Sequence, residues 1–154
     1  MKCGYKYCKF GGEVSKEEGV KYKNRWHHKE CAEERKNKEK IRKIYLEKID
    51  KYANKAQLNK AIKQIIHDKK QNSSFVLFAL NYAIENNIKL NNPFGLHWII
   101  KDKNIIKTYK EKILKKQEYE IINKILNQDE KGYETSFKYK PSKKNRNWNK
   151  ILPE

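Results

Sequence analysis

A chain of 154 residues has room for one ordinary domain, or for a small finger joined to one modest helical domain. Its 37 basic residues against 19 acidic ones give a formal net charge of +18, and hydrophobic residues make up only 37% of it. That balance excludes a large apolar core and points to polyanionic partners, nucleic acid first and an acidic protein surface second. No apolar run approaches the ~20 residues that span a bilayer, and the chain opens on cysteines and not on a signal peptide, so a soluble, cytoplasmic protein with no membrane partner is expected. Lys, Asn and Ile are abundant and Arg occurs four times. Codon drift in an AT-rich genome produces such a bias, but it does not require so large an excess of base over acid.

All three cysteines and two of the four histidines lie in the first 31 residues. Three cysteines cannot pair off into disulfides. Cys3 and Cys8 form C-x4-C, and after nineteen residues His28 and Cys31 form H-x2-C, the spacing of a structural Zn2+ site with two ligands on a knuckle and two on the first turn of a helix. His27, at i and i+4 from Cys31, competes with His28 for the fourth position. With four protein ligands no coordination position stays open for water or substrate, so the metal is expected to fold the segment and do no chemistry. Phe10-Gly11-Gly12 reads as a tight turn, and Val20-Lys21-Tyr22-Lys23 alternates as a half-exposed strand does.

Knuckle, β-hairpin and a helix bearing the last two ligands follow the order of a treble-clef finger. Cys3, Cys8, Trp26, His28 and Cys31 stand where the LIM-like zinc fingers have their ligands and their Trp-His step, and residues 1–32 resemble that family. The first pair departs from its pattern, with x4 in place of x2. LIM-like fingers commonly dock on proteins, so the resemblance implies a docking module as an alternative function.

A charged segment, residues 33–53, follows. Ile41, Ile44, Tyr45, Ile49 and Tyr52 recur at three- and four-residue steps, which predicts one amphipathic helix from Lys29 to about Tyr52. Its first half, from Glu33 to Lys40, has no apolar residue and is expected to be a solvated connector or to lie on a partner. Residues 54–127 read as a helical domain. Asn54 caps a helix with Leu58, Ala61, Ile62, Ile65 and Ile66 buried, and His67 supplies a favourable charge in its last turn. Ser73 or Ser74 starts the most apolar segment, Phe75 to Ile84, predicted to sit at the middle of the core. Pro93 opens a short helix ending at Ile100, in which His97 is a packing residue. Lys103 to Asn127 is a long closing helix with a stripe of Ile106, Tyr109, Ile113, Ile121, Ile122 and Ile125. The fold class expected is thus mainly α: a zinc finger, four or five helices and a basic tail.

The stretch from Ala79 to Asn87, a turn, and Gly95 to Ile100 resembles the helical modules of replication-initiation proteins such as the DnaD-like domain. The whole layout resembles small lysine-rich zinc-finger proteins of phages and prophages of low-GC Gram-positive bacteria, which implies a regulatory or accessory factor of a mobile element.

In the tail, residues 128–154, Lys138, Lys140, Lys143, Lys144, Arg146 and Lys150 are interleaved with Phe137, Tyr139 and Trp148. Such a tail can pair with phosphates and stack on bases, fold back onto the helices, or stay solvated. Lys21, Lys23, Arg25 and Lys29 are expected to form one basic face on the finger, acting with Lys138, Lys140, Lys143, Lys144, Arg146 and Trp148 in phosphate-dominated nucleic-acid binding. An adaptor or inhibitor docking on a host nucleic-acid enzyme is the alternative. A P-loop, a Rossmann glycine pattern and a carboxylate cluster for magnesium are all missing. A nuclease of the ββα-metal type would need His27 as its base, and the reading favours no enzymatic activity.

Overall fold

In the computed structural model, which describes residues 1–129, the chain first reverses at Gly11 and Gly12. Their φ angles of 70° and 82° lie in the left-handed region that glycine enters without steric cost. The reversal lays residues 1–3 against residues 12–14: the Cys3 N–H donates to the Gly12 carbonyl at 2.7 Å and the Val14 N–H to the Met1 carbonyl at 2.8 Å. Strand β1 (Gly19–Tyr22) pairs antiparallel with β2 (Arg25–His28), Val20 opposite His27 and Tyr22 opposite Arg25. Lys23 and Asn24 make the two-residue connection with φ of 47° and 62°, the twist that suits a hairpin. The Gly4 N–H donates to the Trp26 carbonyl at 2.8 Å, so the knuckle is tied to the hairpin.

Helix α1 (Lys29–Lys48) follows β2 without a loop. It stops four residues short of Tyr52, which lies 90% exposed and takes no part in the apolar stripe. Its charged first half is not a solvated connector. Asn37 and Lys38 are buried there, and the partner that covers this half is the chain's own knuckle and hairpin. Asn37 donates to the hydroxyls of Ser73 and Ser74 at 3.1 Å, which ties α1 to the start of α3.

Asn54 caps α2 (Lys55–Lys63), its side chain accepting from the Ala56 and Gln57 N–H groups. The helix runs on into a π-helical turn, Gln64–Asp68, in which the Lys69 N–H reaches back five residues to the Gln64 carbonyl at 2.9 Å. Leu58, Ala61, Ile62, Ile65 and Ile66 are buried as expected. Asn72 caps α3 (Ser73–Glu85). This helix does lie in the core cluster, but Phe75, Val76, Ala79, Leu80 and Ala83 make one fully buried side while Leu77, Phe78, Tyr82 and Ile84 are half-buried.

A 3-10 turn, Pro93–Gly95, leads into the short α4 (Leu96–Ile99). Leu96, Ile99 and Ile100 close the core, whereas Trp98 points outward at 59% exposure. Helix α5 (Lys103–Asp129) starts on Asp102, whose carboxylate accepts from the Asn104 and Ile105 N–H groups. Ile105 is buried, and Ile106 and Tyr109 are packed on the core. The rest of the predicted stripe, Ile113, Ile121, Ile122 and Ile125, is exposed.

The expected architecture, mainly α with a small N-terminal hairpin and Cys/His group, is the one observed. Residues Met1–Lys116 make one compact unit, and the described residues from 117 to 129 fall outside it. Among the described residues no helix is long and apolar enough to cross a membrane. The predicted tail, from residue 130 on, lies outside the described residues.

Because the buried side of α3 carries the core, Leu80→Ala is expected to cost about 2–5 kcal/mol in urea unfolding. Leu77→Ala, on the half-buried side, should cost about 1 kcal/mol.

Candidate metal centre

The knuckle, the end of β2 and the first turn of α1 bring four side chains together. Cys3 and Cys8 come from the turn stabilised by Gly11 and Gly12, His28 from the strand-to-helix junction and Cys31 from α1. Their ligand atoms all lie within 4.8 Å of one another. His28 Nδ1 stands 3.4 Å from the Cys8 sulfur and 3.9 Å from that of Cys31. A tetrahedron with metal–sulfur bonds of ~2.3 Å and metal–nitrogen bonds of ~2.0 Å has edges of roughly 3.5–3.8 Å, so the group can hold a metal ion with little movement. The sequence reading placed both His28 and Cys31 on the helix. His28 instead precedes it, with backbone angles of −59° and 150°, and its side chain turns back toward the knuckle.

The donor chemistry agrees. Burial pushes the Cys31 thiol up, and the neighbouring Cys8 and Cys3 sulfurs add to that. Partial burial also raises Cys8, but the N–H groups of Phe10 and Gly12 and the other two thiols outweigh it and bring it down. Three sulfurs crowded together oppose one another's ionisation unless a cation sits among them. The Phe10 N–H, 3.4 Å from the Cys8 sulfur, is the kind of backbone donor that steadies a thiolate ligand, and the Phe10 ring covers His28 at 4.9 Å.

His27 is not part of this group. The pleat sends it to the other side of β2, where it is fully buried. Arg35 can only donate, so His27 Nε2 accepts from Arg35 Nη1 at 3.1 Å, and Nδ1–H donates to the Arg25 carbonyl at 2.9 Å. Both ring nitrogens are engaged, and the ring is inaccessible as the base a nuclease would require.

The hairpin register divides the expected basic face. Lys21 stands opposite Trp26 and shares its side, while Arg25 stands opposite Tyr22 on the other. Lys23, at the turn, places Nζ 2.6 Å from both carboxylate oxygens of Glu39, and Lys29 is exposed on the first turn of α1. Lys21 and Arg25 therefore cannot meet one flat surface together. Lys138, Lys140, Lys143, Lys144, Arg146 and Trp148 lie outside the described residues.

A buried polar chain that the sequence reading missed docks the knuckle on the helices. Lys38 donates to the Tyr5 hydroxyl at 2.8 Å and to His67 Nε2 at 2.6 Å, and Tyr5 donates to Glu34 at 2.5 Å. Tyr7 stacks on His67 with centroids 3.8 Å apart. Burial and the nearby Lys38 hold His67 below its ordinary value. His67 thus stays neutral and accepts, instead of supplying the charge at a helix end that its position implied; Glu34 Oε1, 3.6 Å from its Nε2, has no ion pair with it. Glu39 also accepts from the Tyr22 hydroxyl at 2.8 Å.

No family model matches this chain, and neither does any curated protein or solved structure. The LIM-like resemblance therefore rests on the sequence spacing alone, and the structure adds a Cys/His group that could hold a metal.

In cobalt-substituted protein, His28→Ala is expected to weaken metal binding by more than the ~10–100-fold lost with an outer partner and to alter the tetrahedral absorption bands. His27→Ala should leave those bands in place and cost about 1–3 kcal/mol of stability, because Arg35 is left without its acceptor. The buried Lys38 gives a pH signature. Burial lowers its ammonium to about 8, against the opposing effect of Glu34. Between pH ~8 and the ordinary lysine value near 10.4 the unfolded chain then holds the proton that the folded chain has lost, so this contribution to stability rises with pH. Unfolding curves of the native protein and Lys38→Met across that range should differ in this slope; parallel curves would contradict the assignment.

Proposed function

We propose that the protein is a zinc-stabilised nucleic-acid-binding module that acts by contact and not by catalysis. Zn2+ is the ion that three thiolates and one imidazole in a closed, four-ligand site suit best, and such a site serves folding. The carrying observation is the net charge of +18 on 154 residues. Condensed counterions released from phosphates are the strongest general drive such a chain can find.

The arrangement of the finger's aromatic residues favours this reading over protein docking. Tyr5 is buried, Tyr7 is stacked on His67, and the Tyr22 ring lies among Lys23, Arg35 and Lys36 at 5.4–5.6 Å. Phe10, at 46% exposure, rests on His28. An uncharged aromatic patch of the kind that docks on proteins is thus not offered by these five positions, Trp26 being half-buried beside them. With four arginines in the chain, backbone contacts should dominate over base reading.

Fluorescence anisotropy of labelled single-stranded and duplex DNA and RNA, titrated with zinc-loaded protein across a salt series, tests the reading. A slope of log affinity against log salt of about −3 or steeper on a single strand is expected, corresponding to four or more phosphate contacts. A flat salt response, or no binding at low salt, would shift the case to the acidic-protein partner.

A further inference from the structure

Arginine is rare in this lysine-rich chain, yet three of its four arginines line one cleft of about 340 Å3 between the knuckle, β2 and α1. Arg35, Lys38 and Arg42 stand at i, i+3 and i+7 on α1, which places them along one helix face. Arg25 reaches in from β2 and Lys6 from the knuckle. Gly4 makes room for this: a Cβ there would fall 2.7 Å from Arg25 Cβ and 3.0 Å from Arg25 Cδ, so only glycine lets the Arg25 stem lie across the knuckle.

The cleft holds one carboxylate among these cations, and its shortest contacts are to Lys23 and Tyr22, which do not line the cleft. Glu39 takes both oxygens to Lys23 and also accepts from Tyr22, with Arg35 Nε at 3.8 Å. Lys38 is held by Tyr5 and His67 with its Nζ near the Tyr5 and Tyr7 rings. Arg42 Nε is buried with no hydrogen-bond partner. A buried guanidinium nitrogen left without an acceptor, beside like charges, is costly unless an anion meets it.

We propose that this cleft is a phosphate site, taking one backbone phosphate of a nucleic-acid strand between the guanidinium groups of Arg25, Arg35 and Arg42; the strand as its source rests on the function proposed above. The choice of phosphate over carboxylate follows from shape. A planar carboxylate is matched by a single guanidinium fork, whereas three guanidinium groups arriving from a strand and from two turns of a helix, Arg35 with the N–H groups it does not give to His27, suit oxygens that point in tetrahedral directions. Arg25 is exposed, so a strand passing outside can reach the cleft.

The test uses the full, metal-loaded chain in two arms. Thermal melts with inorganic phosphate, and with acetate as the planar comparison, read the cleft directly; anisotropy of a labelled single strand across salt reads the strand. Phosphate is expected to raise the Tm of the native protein more than acetate does, and to have no such effect on Arg42→Gln. Arg42→Gln and Arg25→Gln should each weaken strand binding roughly tenfold at low salt and reduce the salt slope by about one, with Arg42→Lys recovering part of the affinity. Strand binding of native strength and slope in both variants would overturn the cleft as a phosphate site and leave the nucleic-acid reading standing. Phosphate protection lost in Arg42→Gln, with no strand bound by the native protein, would overturn the strand as occupant and that reading with it. Equal protection by acetate would overturn phosphate in favour of an acidic peptide. Should Arg42→Gln not fold, the exposed Arg25→Gln decides.

Discussion

The contact on which the rest depends is the row of donors and acceptors running from His67 through Lys38 and Tyr5 to Glu34. A two-stranded hairpin is too small to be stable by itself, and even with a metal bound it would be a bead on a string. The ammonium of Lys38, a residue only 8% exposed, is tolerated there because it has two acceptors and the faces of two tyrosine rings around it. Remove those and a buried charge stands alone, at a cost of several kcal/mol. The knuckle is therefore held on the helices by polar groups in fixed directions, which sets its orientation more tightly than an apolar contact would.

This arrangement joins the candidate metal group to the helical core through α1. The same helix gives Cys31 to the metal group, Glu34 and Lys38 to the docking row, Arg35 to His27, and Ile41 with Tyr45 to the core. Metal ligation, hairpin position and helical packing are thus successive turns of one rigid element. A metal held at its first turn would sit on the same helix as Arg35 and Arg42.

Much of this was legible in the sequence, and the gaps have physical causes. Ligand spacing marked Cys3, Cys8, His28 and Cys31, and Asn54 announced the start of α2, because both depend on local geometry along the chain. The choice between His27 and His28 was not readable: both are within reach of Cys31 by spacing, and the strand pleat separates them. The charged half of α1 looked solvated because helical periodicity shows only where apolar residues fall, and the surface that covers it is polar. The convergence of Arg25, Arg35 and Arg42 was likewise hidden, since it requires knowing that β2 lies over α1; the scarcity of arginine was the one available sign. The later isoleucines of α5 show the opposite error, where apolar residues in helical register were read as a closing stripe and lie exposed.

The π turn at Gln64–Asp68 has a consequence for how this chain can change. One extra residue in the turn rotates everything after it by about 100° relative to an uninterrupted α-helix. Ile65 and Ile66 stay in the core while His67 swings to the knuckle. Rewinding the turn as regular α-helix at unchanged length would leave its composition untouched, yet carry the imidazole about 100° round, away from Lys38. The winding of this short stretch is accordingly as constrained as its sequence, and a substitution that favours regular α-helix here should loosen the knuckle without touching it.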